Sequence, residues 1–343
     1  MENGIVDLIS FDQGFAWDHW AVWYFLLVGS AAGALLIAFI AAVRDQNAPE
    51  IRPALFAAAA CGLTAAVPLL ADLHQPARFM HFYLGTAPHS IMWWGSWFLP
   101  AFVGGLAMLV VLYSPFGDRF AAYRRYLWYW TAIFSVAVLA YTAGEMTIVR
   151  ARPVWHETFF PIMLTLSAII SGSGAVSIVA AVRGQKPGIA PQVLATGSAL
   201  FVVGVAVWIA AGWGKNVVDG GAFADLALNA NPVNLLFLMT GICGVGGLVM
   251  ALVASRAALF AAVSGLLAVV GALIFRWELF MGGQAQLKLE AGFLPHALIN
   301  NNEALAGLIG TVGLLAVVVV VLSFVLNHEG ENKDGHTASH SVL

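Results

Sequence analysis

The chain has 343 residues, of which 61% are hydrophobic and 10% are charged, and its formal net charge is −3. A soluble domain carries about 25% charged residues and has no core large enough to bury this much apolar surface, whereas a disordered chain would be polar. The lack of basic runs argues against binding to nucleic acid. The composition therefore predicts a polytopic membrane protein.

Nine apolar runs are long enough to cross a bilayer, which takes about 20 residues in a helix. We predict that all nine are helices, because an open strand would leave backbone groups unpaired in lipid. In chain order the predicted spans are residues 20–43, 54–71, 91–113, 124–149, 158–182, 192–213, 233–254, 257–280 and 303–326. The predicted fold class is an all-α integral membrane protein.

A faint internal repeat relates the first span to the fifth. Residues 41–44 and 180–183 have the same sequence, and Gly33 and Gly172 match at the same offset. Because four spans restore the orientation in the membrane, a true repeat predicts two four-helix bundles plus one extra C-terminal helix, although alanine-rich helices also match by chance. Small residues in both spans would let these helices approach closely; they are Gly29, Ser30, Gly33, Gly172, Ser173 and Gly174.

The distribution of basic residues predicts the orientation, because cytoplasmic loops carry the excess of Lys and Arg. With the N-terminus outside, the inner segments hold more of the 15 basic residues than the outer segments, to which Arg276 belongs. The N-terminus lacks the basic region of a signal peptide, so we expect the first span to be retained as an anchor. The polar residues 328–343 are predicted to form a disordered cytoplasmic tail.

Unusual polar residues collect at the outer ends of the first four spans, whereas the inner ends carry mainly arginines. Four consecutive helices therefore bring acidic, basic and aromatic side chains to one depth on one side of the membrane. The candidates for proton transfer are Asp72, His74 and Glu145. The candidates for ligand binding are His19, Tyr24, Arg78, Trp93, Trp97 and Tyr141.

Several of these residues also have a simpler structural explanation. His19 and the tryptophans fit the aromatic belt at a membrane surface. Arg150 and Arg152 fit helix-end anchors whose long side chains reach the interface. Glu145 fits a structural acid that is held by hydrogen bonds. The pattern alone leaves both interpretations open for these residues.

Asp72 is harder to explain as a structural residue. Pro68 lies one turn before it and should bend the helix, and Pro76 disfavours helix just after it, so we expect Asp72 where the second span bends and unwinds. A carboxylate near hydrocarbon is costly, and it is usually paired or functional. Arg78 is one available partner; the alternative is that Asp72, His74 and Arg78 form a functional group.

The chemistry that suits these residues is quinol oxidation, which releases protons as well as electrons. Histidine titrates near neutral pH, a partly desolvated carboxylate is shifted in the same direction, and tyrosine donates to a carbonyl oxygen. The same groups also suit a polar transported solute. No histidine lies in the middle of a span, and Cys61 and Cys243 belong to no ligand cluster, so no haem, iron–sulfur cluster or other metal site is expected in this chain.

Six segments resemble the NrfD/PsrC (polysulfide reductase membrane subunit) family, in the right order and over most of the chain. They are residues 24–33, 76–79, 90–97, 141–143, 151–155 and 276–288. The resemblance implies a subunit of the bacterial cytoplasmic (inner) membrane without redox cofactors of its own and not catalytic alone. It implies a menaquinone or ubiquinone site in a first bundle (1–155), followed by a second bundle with the last span (156–327).

The same resemblance implies partners and residue roles. The expected partner is an iron–sulfur subunit with several [4Fe–4S] clusters, which often relays electrons to a molybdopterin subunit or a multihaem cytochrome. Tyr141 matches the tyrosine that contacts the quinone, whereas Ala21 and Tyr24 stand where the polysulfide enzyme has its Asn and His contacts. In related quinol-oxidising complexes an Asp and a His accept protons, which suits Asp72 and His74.

The sequence thus predicts a membrane anchor subunit that exchanges electrons and protons between the quinone pool and a peripheral iron–sulfur subunit. One alternative is a secondary transporter, which would show inverted repeats and helices broken at the midplane. The other is a structural anchor without quinone chemistry.

Overall fold

A computed structural model describes residues 17, 19–73, 75–85, 87–115, 117–216, 220–230, 233–286 and 302–327. Within this part of the chain, nine helices are long and apolar enough to cross a membrane, and no strand occurs. They are α1 His19–Arg44, α2 Ile51–Asp72, α3 Ile91–Leu112, α4 Arg124–Thr147, α5 Phe159–Val182, α6 Ala190–Gly212, α7 Val233–Leu252, α8 Ala258–Trp277 and α9 Asn302–Asn327. The predicted all-α membrane fold is confirmed.

Shorter elements connect these nine helices. They are Pro76–Arg78, His81–Leu84, Gly117–Tyr123, Pro153–His156, Ala222–Asn229 and Ala254–Arg256, while π-helical Glu278–Gly282 and then Gly283–Ala285 prolong α8. We call the end of the protein where α1 begins the upper end, and the end where α1 stops the lower end. The predicted tail, residues 328–343, and His74 lie outside the described residues.

The first four long helices pack against one another, and so do the next four. α1 is the central element, because it contacts both groups and every residue from Ala21 to Leu35 is buried. α9 packs along α2 and α1 and leaves most of its surface exposed. An apolar helix that is exposed in this way is expected to face lipid.

The two groups of helices meet at a close crossing of α1 and α5. A Cβ atom at Gly172 would lie 2.5 Å from the backbone nitrogen of Ala34, so a larger residue does not fit there without displacing α1. Beside it, the Ser30 hydroxyl donates a hydrogen bond to the Ser171 hydroxyl at 2.8 Å, and both side chains are buried. The prediction that small residues bring these helices together is confirmed, and Gly33, which matches Gly172 in the faint repeat, is its direct neighbour in space.

The charged end of α8 lies inside the protein rather than at a membrane interface. Arg276 and Glu278 are 1% and 0% exposed. Arg276 Nη1 donates to the carbonyl of Ala272 at 3.4 Å, and Glu278 accepts from the Thr240 hydroxyl at 3.0 Å. The expectation that Arg276 belongs to an outer segment is wrong, because the π-helical turn keeps the chain helical beyond the two charges and neighbouring helices cover them.

Candidate functional site

A cavity of about 530 Å³ lies among the upper ends of α1, α2, α3 and α4. Its volume is within the range of about 300–1,000 Å³ that small-molecule sites occupy. Most of its wall is apolar, and a few polar side chains converge on it. The polar lining residues are Tyr24, Asp72, Tyr83, Ser96, Tyr141 and Glu145. A largely apolar cavity with few polar groups is typical of a site that binds an organic ligand.

Two tyrosines and a carboxylate form the polar wall of this cavity. Tyr141 and Glu145 lie one turn apart on α4 and therefore share a face, and the Tyr141 hydroxyl is hydrogen-bonded to the Glu145 carboxylate. Tyr24 of α1 lies close enough to interact electrostatically with both. Glu145 is 6% exposed and Tyr24 is 3% exposed. The cavity thus presents a hydrogen-bonded acid and two phenols to a ligand.

Asp72 supplies a second carboxylate from α2. The helix continues through Pro68 and ends at Asp72, because Leu73 adopts an extended conformation with ψ of 126°. The expected unwinding therefore starts one residue after Asp72 rather than at it. Asp72 is half-buried, lines the cavity and interacts electrostatically with Glu145. Two carboxylates from different helices therefore share one largely apolar cavity.

The cavity has a side opening between the ends of α2 and α3. Leu70, Phe79 and Met92 line the cavity, and between 37% and 42% of each side chain's surface is accessible. These three residues give the opening an apolar rim. A ligand with a long hydrocarbon tail can thus place its polar head inside and its tail outside.

Four of the predicted site residues, Tyr24, Asp72, Tyr141 and Glu145, line one cavity. His19 is buried but faces α9, where it packs against Gly307. Arg78 is exposed and donates to Gln75 Oε1 at 2.8 Å and to His81 Nδ1 at 3.2 Å. Neither His19 nor Arg78 is among the lining residues.

The tryptophans of α3 lie behind the cavity rather than on its surface. Met92, Gly95 and Ser96 of the same helical turn line it instead. Trp97 packs edge-to-face on Tyr83 with 5.4 Å between the ring centroids, and Tyr83 does line the cavity. Trp93 packs against Trp97 at 6.3 Å. The tryptophans therefore support the wall.

The upper wall of the cavity depends on a residue that sequence reasoning did not single out, Gln284. Its side-chain amide donates to the carbonyl of Trp17 at 2.9 Å and accepts from the Trp17 backbone N–H at 3.0 Å. Trp17 lines the cavity and stacks on Trp155 with 5.8 Å between the centroids. In the sequence, the Gly-Gly-Gln motif at 282–284 is only part of a family resemblance, and the structure gives it a role in holding Trp17.

Arg152 is a second residue whose role was missed. It is 5% exposed and donates through Nη1 to the carbonyls of Gln284 at 2.7 Å and Gln286 at 3.2 Å. Burial lowers the pKa of this guanidinium. Its carbonyl partners have the opposite effect, because they favour the charged form. The interpretation of Arg152 as a membrane-surface anchor is wrong, whereas its neighbour Arg150 is exposed as expected.

Glu157 organises the upper end of the second bundle. Its Oε1 accepts from the backbone N–H of Ala222 at 2.9 Å, and its Oε2 accepts from the indole N–H of Trp208. Burial raises the pKa of Glu157, while these donors favour the charged form.

Among the residues that the structure describes, no three His, Cys, Asp or Glu side chains come together as a metal site.

The helices define a multi-pass membrane protein with a largely apolar cavity among its first four long helices. Residues 8–288 match the family described as "Polysulphide reductase, NrfD". The chain is also 32% identical over 331 residues to a tetrathionate reductase subunit of Salmonella typhimurium, covering 94% of this chain and 96% of that protein. This chain belongs to the NrfD family.

The fold is similar to that in "The structure of bd oxidase from Geobacillus thermodenitrificans". The TM-score is 0.50 at 12% sequence identity, with 92% of this chain and 97% of that chain covered. At this level of identity the similarity concerns the arrangement of helices alone.

Proposed function

We propose that this chain is the membrane anchor subunit of a reductase complex and exchanges electrons and protons between the quinone pool and a peripheral iron–sulfur subunit. Membership of the NrfD family and the similarity to a protein named for tetrathionate reductase support the anchor role. The main support for the quinone role is the Tyr141–Glu145 pair, which faces Asp72 in a largely apolar cavity.

The residues of the cavity fit menaquinone or ubiquinone. A quinone ring has two oxygens that need hydrogen-bond partners, an apolar body and a long apolar tail. The two phenols and two carboxylates suit the oxygens, the apolar wall suits the ring, and the opening beside Leu70, Phe79 and Met92 suits the tail. A bound quinol supplies two electrons and two protons when it is oxidised.

Five polar residues of this chain have distinct tasks in that chemistry. The Tyr141 hydroxyl donates its proton to Glu145, which orients it, and accepts a hydrogen bond from a ring hydroxyl of the quinol. Glu145 and Asp72 accept the two protons, and Asp72, being half-buried at the end of α2, passes them towards the upper surface. We assign His74 to the same proton route. We also propose that Arg78 supplies positive charge near the exit of that route. Electrons leave to clusters of the partner.

The partner subunits follow from the same assignment. We propose an iron–sulfur subunit with [4Fe–4S] clusters docked over the upper end of the first bundle, and beyond it a molybdopterin subunit or a multihaem cytochrome. The excess of basic residues at the lower end favours an orientation with the N-terminus outside and the C-terminus inside the bacterial cytoplasmic membrane. The cavity then lies in the outer half of the bilayer.

The first test is the replacement of Asp72 by asparagine. We expect the rate of quinol oxidation by the assembled complex to fall by about 10²-fold, because a positioned proton acceptor contributes about 10²–10⁴-fold. Binding of a fluorescent quinol analogue to the purified protein should change little, since the amide keeps the shape of the carboxylate. The matched control is Asp225→Asn in the short helix Ala222–Asn229 of the second bundle, which should leave turnover unchanged.

Two outcomes would contradict parts of this proposal. Full turnover of Asp72→Asn would remove Asp72 from the proton route. Failure of the wild-type protein to bind the quinol analogue would favour the structural-anchor alternative and overturn the quinone assignment itself.

Gly95 offers an independent test of the Tyr141 geometry. A Cβ atom at Gly95 would overlap the Tyr141 ring, whereas nothing lies within 4 Å of a Cβ at Gly104 on the same helix. We expect Gly95→Ala to displace the ring, to lower kcat/KM for quinol by roughly tenfold or more, and to weaken binding of the analogue. Gly104→Ala should match the wild type in both measurements. Equal behaviour of the two variants would show that the position of Tyr141 does not matter.

A further inference from the structure

A second cavity, of about 280 Å³, lies at the lower end of the protein, between the end of α1 and the start of α4. It is separated from the quinone cavity by most of the length of both helices, so it does not depend on the proposed function. Its lining combines two guanidinium groups with aromatic rings. The lining residues used in the argument are Phe39, Val43, Arg44, Arg125, Trp128 and Tyr129.

The two arginines of this cavity differ from their neighbour Arg124. Arg124 is engaged, because its Nη2 donates to the carbonyl of Leu112 at 2.9 Å and its guanidinium lies 5.0 Å from the centre of the Tyr113 ring. Within the described part of the chain, Arg44 and Arg125 make no hydrogen bond or ion pair. The adjacent acid, Asp45, accepts a hydrogen bond from the backbone N–H of Asn47 at 2.9 Å. Two positive charges thus face a common space.

The wall of this cavity is held by a hydrogen-bond chain. The Trp128 indole donates to the Tyr113 hydroxyl at 3.0 Å, and that hydroxyl donates to the carbonyl of Gln46 at 2.7 Å. Tyr129 packs edge-to-face on Phe39 with 5.3 Å between the centroids. These hydrogen bonds connect α4, the end of α3 and the loop after α1. Arg44 and Arg125 therefore lie on elements that are held together.

Apolar surface begins directly beside the charged rim. Val43 of α1 is 56% exposed, and Ile40, one turn towards the membrane centre, is 39% exposed. On α4, Ile133 and Val136 are 64% and 55% exposed. A positive, polar pocket at the membrane surface with exposed apolar residues beneath it matches the two parts of an anionic phospholipid.

We propose that the lower cavity binds the phosphate-bearing headgroup of an anionic phospholipid. Arg44 and Arg125 contact the phosphate, Tyr129 and the aromatic wall pack against the glycerol region, and the acyl chains lie over the exposed apolar residues of α1 and α4. Arginine suits this role because its planar, permanently charged fork matches phosphate oxygens. The site joins the first and last helices of one bundle through a single lipid.

The test uses delipidated full-length protein in detergent and measures binding of short-chain phosphatidylglycerol by native mass spectrometry. The Arg44→Gln/Arg125→Gln variant should raise the apparent Kd for phosphatidylglycerol by roughly thirtyfold, the loss expected for two surface arginines. The matched control is Arg119→Gln/Arg256→Gln, which removes two exposed charges that do not line the cavity; it should change the Kd by less than about threefold. Phosphatidylcholine and inorganic phosphate are tested in parallel.

The outcomes are distinct. The lipid site is supported if only the Arg44/Arg125 variant loses phosphatidylglycerol binding and if phosphatidylcholine and inorganic phosphate bind weakly. Equal loss in both double variants would mean that the general surface charge attracts the lipid, which overturns the proposal. Competition by inorganic phosphate at the concentration at which the lipid binds would identify a free-phosphate site and would also overturn it.

Discussion

Replacing Glu145 with glutamine is expected to lower quinol oxidation by the assembled complex by about 10²–10⁴-fold. The reason is that Glu145 is the most deeply buried acid of the cavity and is hydrogen-bonded to Tyr141, so that it both orients the phenol and accepts a proton. Glutamine keeps the shape and one hydrogen bond but takes up no proton. The measurement is the steady-state rate with an artificial electron acceptor, together with binding of the quinol analogue.

Two further variants sharpen this experiment. Tyr141→Phe removes one hydrogen bond and no acid, so its expected loss is smaller, roughly tenfold. Glu50→Gln changes a glutamate at the lower start of α2, away from the cavity, and should leave the rate unchanged. A Glu145→Gln enzyme that turns over as fast as Glu50→Gln would exclude Glu145 from proton transfer, even if the quinol analogue still binds.

Replacing Arg152 with glutamine is expected to destabilise the protein by about 3 kcal/mol. The buried guanidinium satisfies the carbonyls of Gln284 and Gln286, and its loss leaves both acceptors without a charged donor. Because Gln284 also holds Trp17, the cavity wall should loosen as well. Thermal unfolding of the purified protein in detergent measures the first effect, and binding of the quinol analogue measures the second.

Arg150→Gln is the matched control, since it removes the same charge from an exposed residue two positions earlier. Surface substitutions of this kind change stability by about 0.5 kcal/mol or less. If both variants unfolded at the same temperature, Arg152 would be an anchor at the membrane surface after all. Its hydrogen bonds to Gln284 and Gln286 would then contribute nothing measurable to stability.

Much of the candidate site was accessible from sequence because its members lie at helix ends with a simple spacing. Tyr141 and Glu145 are four residues apart in a single helix, so their common face follows from the geometry of the helix alone. Asp72 stood out because a carboxylate among apolar residues is costly. Arg152 and Gln284 gave no such signal, since a charged or amide residue just beyond a span is ordinary in sequence, and their roles depend on contacts between distant segments.

The nine apolar helices could be read from the sequence because lipid demands both length and apolarity. The same holds for the end of the first four helices at which polar residues collect. Which side chains share the cavity depends on how the helices pack. His19 and Tyr24 lie on the same helix, about 140° apart at 3.6 residues per turn, and one faces α9 while the other faces the cavity. The rotation of α1 about its axis is set by its packing, above all at the Gly33–Gly172 crossing. This rotation cannot be predicted from hydrophobic periodicity, because a helix that is buried on all sides has no polar face.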